Sequence, residues 1–283
     1  QWLKNLLLFM PLLAAHRLTA VGDWTALFLA FVSFSLCASS VYIANDLIDL
    51  DSDRVHPRKR LRPFAAGHLS ILHGVGMAPV LLLLSALVGT QVSVAFLGWL
   101  AVYFLVTCAY SMGLKRLIVV DCLTLALLYT LRIVAGAAAV GLEMSFWLLA
   151  FSVFLFLSLA FVKRYAELEV QILKGKKKAH GRGYYTTDAP LVQGMGLSAG
   201  YAAAMVLALY LNSEAVTRLY RTPEVIWGAV PVLLFWVNWM WVKAHRGEMH
   251  DDPLVFAVKD RASLVAGVVF GLVLLFGTMG WPW

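Results

Sequence analysis

The string Asn45-Asp46-Leu47-Ile48-Asp49-Leu50-Asp51-Ser52-Asp53 gathers carboxylates at the end of a long apolar run. If a helix continues through it, Asp46, Asp49 and Asp53 stand at i, i+3 and i+7, within about 60° of one another on one face, while Asp51 points to the far side. Three carboxylates on one face repel, and negative charge at a helix C-terminus opposes the macrodipole. A solvated acidic helix end is one reading; a bound divalent cation accounts for the crowding better. Oxygen donors without His or Cys suit a hard ion, and Mg²⁺ typically uses one or two carboxylates together with substrate phosphates. Asp46, Asp49 and Asp53 are therefore the candidate catalytic and metal-binding residues, Mg²⁺ the expected cofactor, and a diphosphate the expected cargo.

Directly after the aspartates come Arg54, Arg58, Lys59, Arg60 and Arg62. Basicity alone reads equally as a loop on anionic lipid, but guanidinium groups beside metal ligands make a clamp for a phosphorylated substrate. His56, next to Pro57, reads as a turn residue. Further along, Asp121, Tyr129, Arg132 and Gly136 fall within about 80° of one helix face. Arg132 lies about 20 Å into its helix by the 1.5 Å rise, so it must face protein; it either contacts substrate or forms an ion pair locking two helices. Gly136 reads as a close-packing position. Lys163, Arg164, Glu167 and Glu169 end a later apolar run, where Lys163 and Glu167, one turn apart, are able to pair with each other. Lys174 to Lys178 reads as a solvated, lipid-facing stretch. The Gly181-Arg182-Gly183 loop has the makings of a phosphate cradle but does not fit the P-loop pattern. Asp251-Asp252-Pro253 and Asp260-Arg261 lie in the last polar stretch, where Asp260 and Arg261 either cap the final helix or reach the site.

The elements that position these groups are membrane helices. Of 283 residues 61% are hydrophobic and 14% charged, with mean hydropathy +0.79, which excludes a soluble domain, disorder and the fibrous classes. A span needs about 20 apolar residues. Runs of that length cover about 24–44, 70–89, 92–112, 118–140, 145–163, 190–211, 224–242 and 263–281, and the shorter run 2–15 is an interfacial helix or part of a first span. The expectation is an all-α polytopic bundle of about nine transmembrane helices in a single domain, 1–283. Asp23 and Ser70 offer helix starts, and Gly89, Gly113 and Gly141 helix ends. Cys37, Cys108 and Cys122 read as small hydrophobes. Nineteen of the 23 Lys and Arg fall on the side that carries the long loops; Arg17, Arg218 and Arg221 fall on the other, and Arg132 inside a span. The positive-inside rule places the long loops, and the candidate site with them, on the cytoplasmic face of the inner or plasma membrane. The formal charge of +7 is thus concentrated around the aspartates.

Asn45-Asp46-x-x-Asp49-x-x-x-Asp53 in a polyhelical membrane context resembles the first aspartate-rich motif of the UbiA superfamily of intramembrane prenyltransferases. Asp53-Arg54-x-His56-Pro57-x-Lys59-Arg60-x-Arg62-Pro63 with Gly67, Lys163-Arg164-x-x-Glu167-Leu168, Asp260-Arg261, the opening Gln1-Trp2-Leu3-Lys4-Asn5 and Tyr129-x-x-Arg132-x-x-x-Gly136 are similar to its decaprenyl-phosphate phosphoribosyltransferase branch. The resemblance implies a nine-helix bundle whose central cavity opens to the membrane under cytoplasmic cap loops. Some similar proteins carry a further N-terminal domain, and the start at Gln1 leaves open whether one precedes it. Ordinary prenyltransferases of the superfamily carry a second Asp-x-x-x-Asp motif after the sixth span; the segment 164–189 here holds only Glu167, Glu169 and Asp188. The implied reaction moves 5-phosphoribose from phosphoribosyl diphosphate to a membrane polyprenyl phosphate, an acceptor already ionised at neutral pH that needs no strong general base. Asn45, Lys59, Arg62, Tyr129, Arg132, Lys163, Arg164, Glu167 and Arg261 become candidates for holding the two phosphorylated substrates. A prenyltransferase with an aromatic acceptor and a cation-binding transporter or lipid scaffold are the alternatives. No nucleic-acid partner is expected, and a homo-oligomer in the membrane is left open.

Overall fold

The computed structural model describes residues 2–17, 19–55, 59–179, 181–214, 220–249 and 252–280. His56, Pro57, Arg58, Arg218, Asp251 and the side chain of Lys59, all weighed above, lie outside the described part. Within it, eight helical segments are long and apolar enough to cross a membrane, and the only strand-like pairing is an isolated antiparallel bridge between Lys178 and Tyr185. The long helices are α2 (Val21–Ile48), α4 (Ile71–Gly89), α5 (Val94–Met112), α6 (Val120–Ala139), α7 (Phe146–Leu173), α8 (Ala189–Leu211), α10 (Ala229–His245) and α12 (Arg261–Met279). Short helices α1 (Met10–Ala14), α3 (Leu50–Val55), α9 (Pro223–Ile226) and α11 (Pro253–Ala257) join them. The opening run is a 3₁₀ helix, Trp2–Phe9, continued by α1, shorter than a span. In the most apolar window of α6, 72% of residues are buried, against 11% in α4, so α6 faces protein and α4 offers its surface to lipid.

The chain divides into two compact units, Gln1–Gly113 with Leu131–Met144, and Leu114–Thr130 with Ser145–Trp283. In the first, α2 packs along α4 through small residues. Ser33 donates its hydroxyl to the Ser85 carbonyl and Ser85 returns the bond to the Ser33 carbonyl, each at 2.7 Å. Small polar side chains of this kind allow close approach of helices and satisfy each other where lipid offers no partner. Gly136 has a stricter reason: a Cβ there would sit 2.0 Å from the Leu8 carbonyl oxygen, so the opening 3₁₀ helix rests directly on the α6 backbone.

In the second unit α7 and α8 pack along each other. Ser158 donates to the Gly196 carbonyl (2.7 Å) and accepts from the Trp241 indole (3.2 Å), while a Cβ on Gly196 would meet the Trp241 ring at 2.2 Å. The α7 helix runs to Leu173, ten residues past the apolar run read from sequence, because the Lys, Arg, Glu and Gln that follow are good helix formers. Arg164 and Asp121 are thereby brought together, both fully buried, with Nη2 2.6 Å and Nε 2.9 Å from Oδ2. The same Asp121 accepts from the Tyr184 hydroxyl at 2.7 Å. That hydroxyl also accepts the Val119 N–H at 2.8 Å, holding a β-branched residue at φ +67°, a conformation it adopts only under strain. Burial first, then the neighbouring Cys122 and the bond to Asp121, push the Tyr184 phenol above its usual range, so it stays a donor.

Helix starts follow side-chain chemistry in most cases. Ser70, Ser93 and Ser145 cap α4, α5 and α7. Asp23 is not a cap: α2 begins at Val21 after Ala20, and Asp23 in its first turn pairs with Arg17 at 3.0 Å, a favourable charge for a helix N-terminus. Asp260 caps α12, its Oδ2 accepting from Ser263 N (2.8 Å), Ser263 Oγ (2.9 Å) and Trp239 Nε1 (2.8 Å). Partial burial alone would raise this carboxyl, but these bonds and nearby Lys243 outweigh it and hold its pKa below the usual 3.8.

Three outcomes follow from this packing. Gly136→Val must displace Leu8 and costs about 1–3 kcal/mol, lowering the thermal midpoint, whereas Gly98→Val, with nothing within 4 Å, leaves it in place. Arg164→Met or Asp121→Leu strands a buried charge and costs about 3–5 kcal/mol, while the double replacement recovers most of the loss; denaturation in detergent measures both. Because the folded pKa of Asp260 is depressed, its contribution is complete above the ordinary carboxylate value and is lost as pH falls through the folded one. Asp260→Asn is therefore less stable than the parent at pH 7, and the gap closes on acidification below about pH 4; a gap constant with pH would contradict the assignment.

Candidate active site

The acidic turn of the first unit is built by an interruption. Helix α2 ends at Ile48, Asp49 takes φ −89° and ψ 8°, and α3 resumes at Leu50. The backbone nevertheless stays bonded, Asp49 N–H to the Asn45 carbonyl (2.9 Å) and Asp53 N–H to the Asp49 carbonyl (2.8 Å). Asp46 and Asp53 remain close enough to share one cation: Arg62 Nη1 lies 2.8 Å from Asp46 Oδ1 and 2.7 Å from Asp53 Oδ2. The Asp53 side chain is 1% exposed and that of Arg62 39%, so the carboxylate is sheltered and the guanidinium reaches in from the wetter side. Asp51 points into solvent and stands 3.9 Å from Arg54.

Among the described residues no three His, Cys, Asp or Glu side chains lie together so as to hold a metal ion. Of the expected trio, Asp46 and Asp53 converge on Arg62. That pair fits Mg²⁺ in the way the ion usually binds: hard oxygen donors, one or two carboxylates, the remaining positions left to water and phosphate. Two carboxylates that already converge on one cationic nitrogen have the charge and spacing for such an ion.

Arg132 belongs to the same unit and is buried. Its Nε donates to Asn5 Oδ1 and its Nη2 to the Tyr103 hydroxyl, each at 3.0 Å, with the guanidinium carbon 4.8 Å from the Tyr103 ring centroid and 5.5 Å from that of Phe34. Neutral acceptors and aromatic faces hold it here, a cation–π arrangement strengthened by desolvation.

In the second unit Asp252 is the organising carboxylate. The Tyr129 hydroxyl lies 3.2 and 3.1 Å from its two oxygens, Lys163 Nζ is 3.4 Å from Oδ2, and the Leu254 N–H is capped by Oδ1 at 3.2 Å. Tyr129 itself is buried and stacked on Phe156, ring centroids 5.1 Å apart. Lys163 therefore does not pair with Glu167. Glu167 instead takes Arg164 Nη1, one turn away, and Arg164 spends its other nitrogens on Asp121. Arg261, at the first turn of α12, is exposed. Sequence reading places Asp121 on the Tyr129 face and Asp252 in the last polar stretch, but it misses their partners in the second unit, Arg164 and Tyr184 for the one and Tyr129 and Lys163 for the other. Asp252-Pro253 carries the signature of a helix start, an acidic cap followed by Pro at the first helical position, but its link to Lys163 spans 89 residues.

Comparison with known proteins agrees with this architecture. The fold resembles that of a UbiA homolog from Archaeoglobus fulgidus bound to GPP and Mg²⁺, with a TM-score of 0.69 and 17% identity over 98% of this chain and 94% of the other. The Nodulation protein NoeC of Azorhizobium caulinodans is 38% identical over 97% of this chain and 90% of its own length. An uncharacterized protein y4nM of Sinorhizobium fredii is also 38% identical, over 95% of this chain, which spans about half (52%) of that relative. The decaprenyl-phosphate phosphoribosyltransferase of Mycolicibacterium smegmatis is 35% identical over 66% of this chain and 60% of its own length. The model of the UbiA prenyltransferase family matches residues 6–259, nearly the whole helical array including the Asp46–Asp53 turn, and the chain belongs to that family.

Proposed function

We propose that the chain transfers 5-phosphoribose from 5-phosphoribosyl 1-diphosphate to a polyprenyl phosphate in the membrane, in a Mg²⁺-dependent reaction on the cytoplasmic face of the inner or plasma membrane. The observation that carries this reading is the convergence of Asp46 and Asp53 on a single cationic nitrogen of Arg62. A carboxylate pair poised on a guanidinium suits a diphosphate delivered with its own divalent ion. The similarity to decaprenyl-phosphate phosphoribosyltransferases over two thirds of the chain supports the choice of donor. So does the 164–189 segment, which has no second Asp-x-x-x-Asp and whose Glu167 is engaged with Arg164.

In this reading Asp46 and Asp53 hold Mg²⁺, with Asp49 and Asn45 in support. Mg²⁺ bound there supplies charge neutralisation to a leaving diphosphate. Arg62, drawn off the carboxylates, turns to the phosphate oxygens, where a guanidinium binds in bidentate fashion, and Lys59 is a further candidate for phosphate binding. Tyr129 and Lys163, both on Asp252, present a hydroxyl and an ammonium to a phosphorylated substrate, and exposed Arg261 is a further contact. Arg164 and Glu167 act as positioning residues, since Arg164 is committed to Asp121. Arg132 keeps the first unit's helices in register through Asn5 and Tyr103. The acceptor phosphate attacks as an anion, so no residue needs to remove a proton.

The test reconstitutes the protein in lipid with Mg²⁺, labelled phosphoribosyl diphosphate and a polyprenyl phosphate, and in parallel with prenyl diphosphate and 4-hydroxybenzoate. The first mixture is expected to yield labelled lipid and the second no product. Asp46→Asn and Asp53→Asn are expected to reduce the rate by about 10²–10³, and chelation of Mg²⁺ to abolish it. Undiminished transfer in both variants, or product from the second mixture alone, overturns the reading.

A further inference from the structure

A second charged feature lies wholly within the second unit. A cleft of about 580 Å³ is lined by Arg116, Lys176, Lys178 and Arg182, with Ala179, Gly181 and Gly183 completing the wall and no carboxylate among the described lining residues. Four cations around one cleft repel, and flexible lysines and arginines would ordinarily swing apart into water. Here the backbone does not let the walls separate. Arg182 Nη1 donates to the Lys115 carbonyl at 3.1 Å. A Cβ on Gly183 would lie 2.6 Å from the Arg116 carbonyl oxygen, so the loop lies directly on the Leu114–Arg116 turn. Ala179 N–H bonds to the Tyr184 carbonyl (3.0 Å) and Thr186 N–H to the Lys177 carbonyl (3.1 Å), closing the basic segment into a hairpin. Tyr184, 1% exposed, ties that hairpin to Val119 and Asp121. The backbone of the wall is fixed while the side chains of Arg116, Lys176 and Lys178 are exposed, with Lys178 Nζ 5.5 Å from the Tyr185 ring centroid, so four cations lining one held cleft give it a positive potential that favours an anion.

The surroundings place the cleft at a membrane boundary. It lies between the end of α7 and the start of α6, and Leu117 (52%), Ile118 (49%) and Leu173 (81%) beside it are exposed apolar residues. We infer that this cleft is an anion site that takes a phosphate group, offered either by a soluble phosphorylated molecule or by the headgroup of a membrane lipid. Phosphate provides the acceptor oxygens that guanidinium and ammonium groups match. The inference is independent of the transfer reaction proposed above.

Lysine footprinting tests it. The full chain is placed in nanodiscs of phosphatidylcholine and acylated at its amines, then analysed by mass spectrometry, with inorganic phosphate added in one arm and phosphatidylglycerol included in the other. Lys176 and Lys178 line the cleft while Lys177 between them does not, so Lys177 is the internal control. Protection of Lys176 and Lys178, by about tenfold when the anion is at ten times its Kd, is expected in at least one arm, with Lys177 unchanged. Phosphate protection identifies a soluble ligand, and phosphatidylglycerol protection a lipid. Arg116→Gln is expected to weaken protection severalfold and Arg116→Lys to restore most of it, with the thermal midpoint unchanged in both. No protection in either arm, equal protection at Lys177, or full protection in Arg116→Gln overturns the inference.

Discussion

The second unit depends on one ion pair that the membrane makes both costly and decisive. Arg164 and Asp121 are fully buried, and an isolated charge in either place would have no solvent to fall back on. Because Asp121 also takes the Tyr184 hydroxyl and Arg164 also takes Glu167, the pair joins α6, α7 and the loop after α7 at one point. The strained turn at Val119 and the basic hairpin both hang from it. A buried pair of this kind is weak evidence for net stability, but separating either partner from the other strands a buried charge, which disfavours a shift of these helices past one another.

The first unit solves the reverse problem. Asp46 and Asp53 bring excess negative charge to a helix end, and Arg62 neutralises it from a loop nine residues beyond Asp53. Any divalent ion that binds those oxygens competes with Arg62 for them, so metal binding and the position of the Arg62 side chain are linked: what occupies the carboxylates decides where the guanidinium rests. Arg132, by contrast, is held by an amide, a phenol and two ring faces, partners that cannot exchange with a passing ion.

Much of this was legible in the residues. Apolar runs of span length give all eight long helices because hydropathy reports the membrane directly, and the aspartate string announces itself through charge crowding. The short opening segment is legible as too brief to span, and Gly136 as a packing position. Helix ends were harder, since hydropathy marks where lipid stops rather than where the helix does; α7 continues to Leu173 on polar residues that favour helix. Pairings were hardest. Lys163 and Glu167 have the spacing of partners, yet Asp252, 89 residues away, takes Lys163 and Arg164, also one turn distant, takes Glu167, since a local pair worth only a few tenths of a kcal/mol does not decide between such options. The break between α2 and α3 at Asp49 leaves no mark in the sequence pattern, nor does the reach of Arg62 to both Asp46 and Asp53.

The spacing of the Arg164–Asp121 pair along the chain sets an order of events during synthesis. Forty-three residues separate the two, and Tyr184 follows Asp121 by 63. At 5–20 residues per second, Asp121 waits roughly 2–9 s for its arginine. Its place in the first turn of α6 lets it spend that interval in boundary water. The loop after α7 is then the last part of this assembly to lock, closing only when α7 has been inserted behind α6 and Tyr184 arrives to complete the carboxylate's shell.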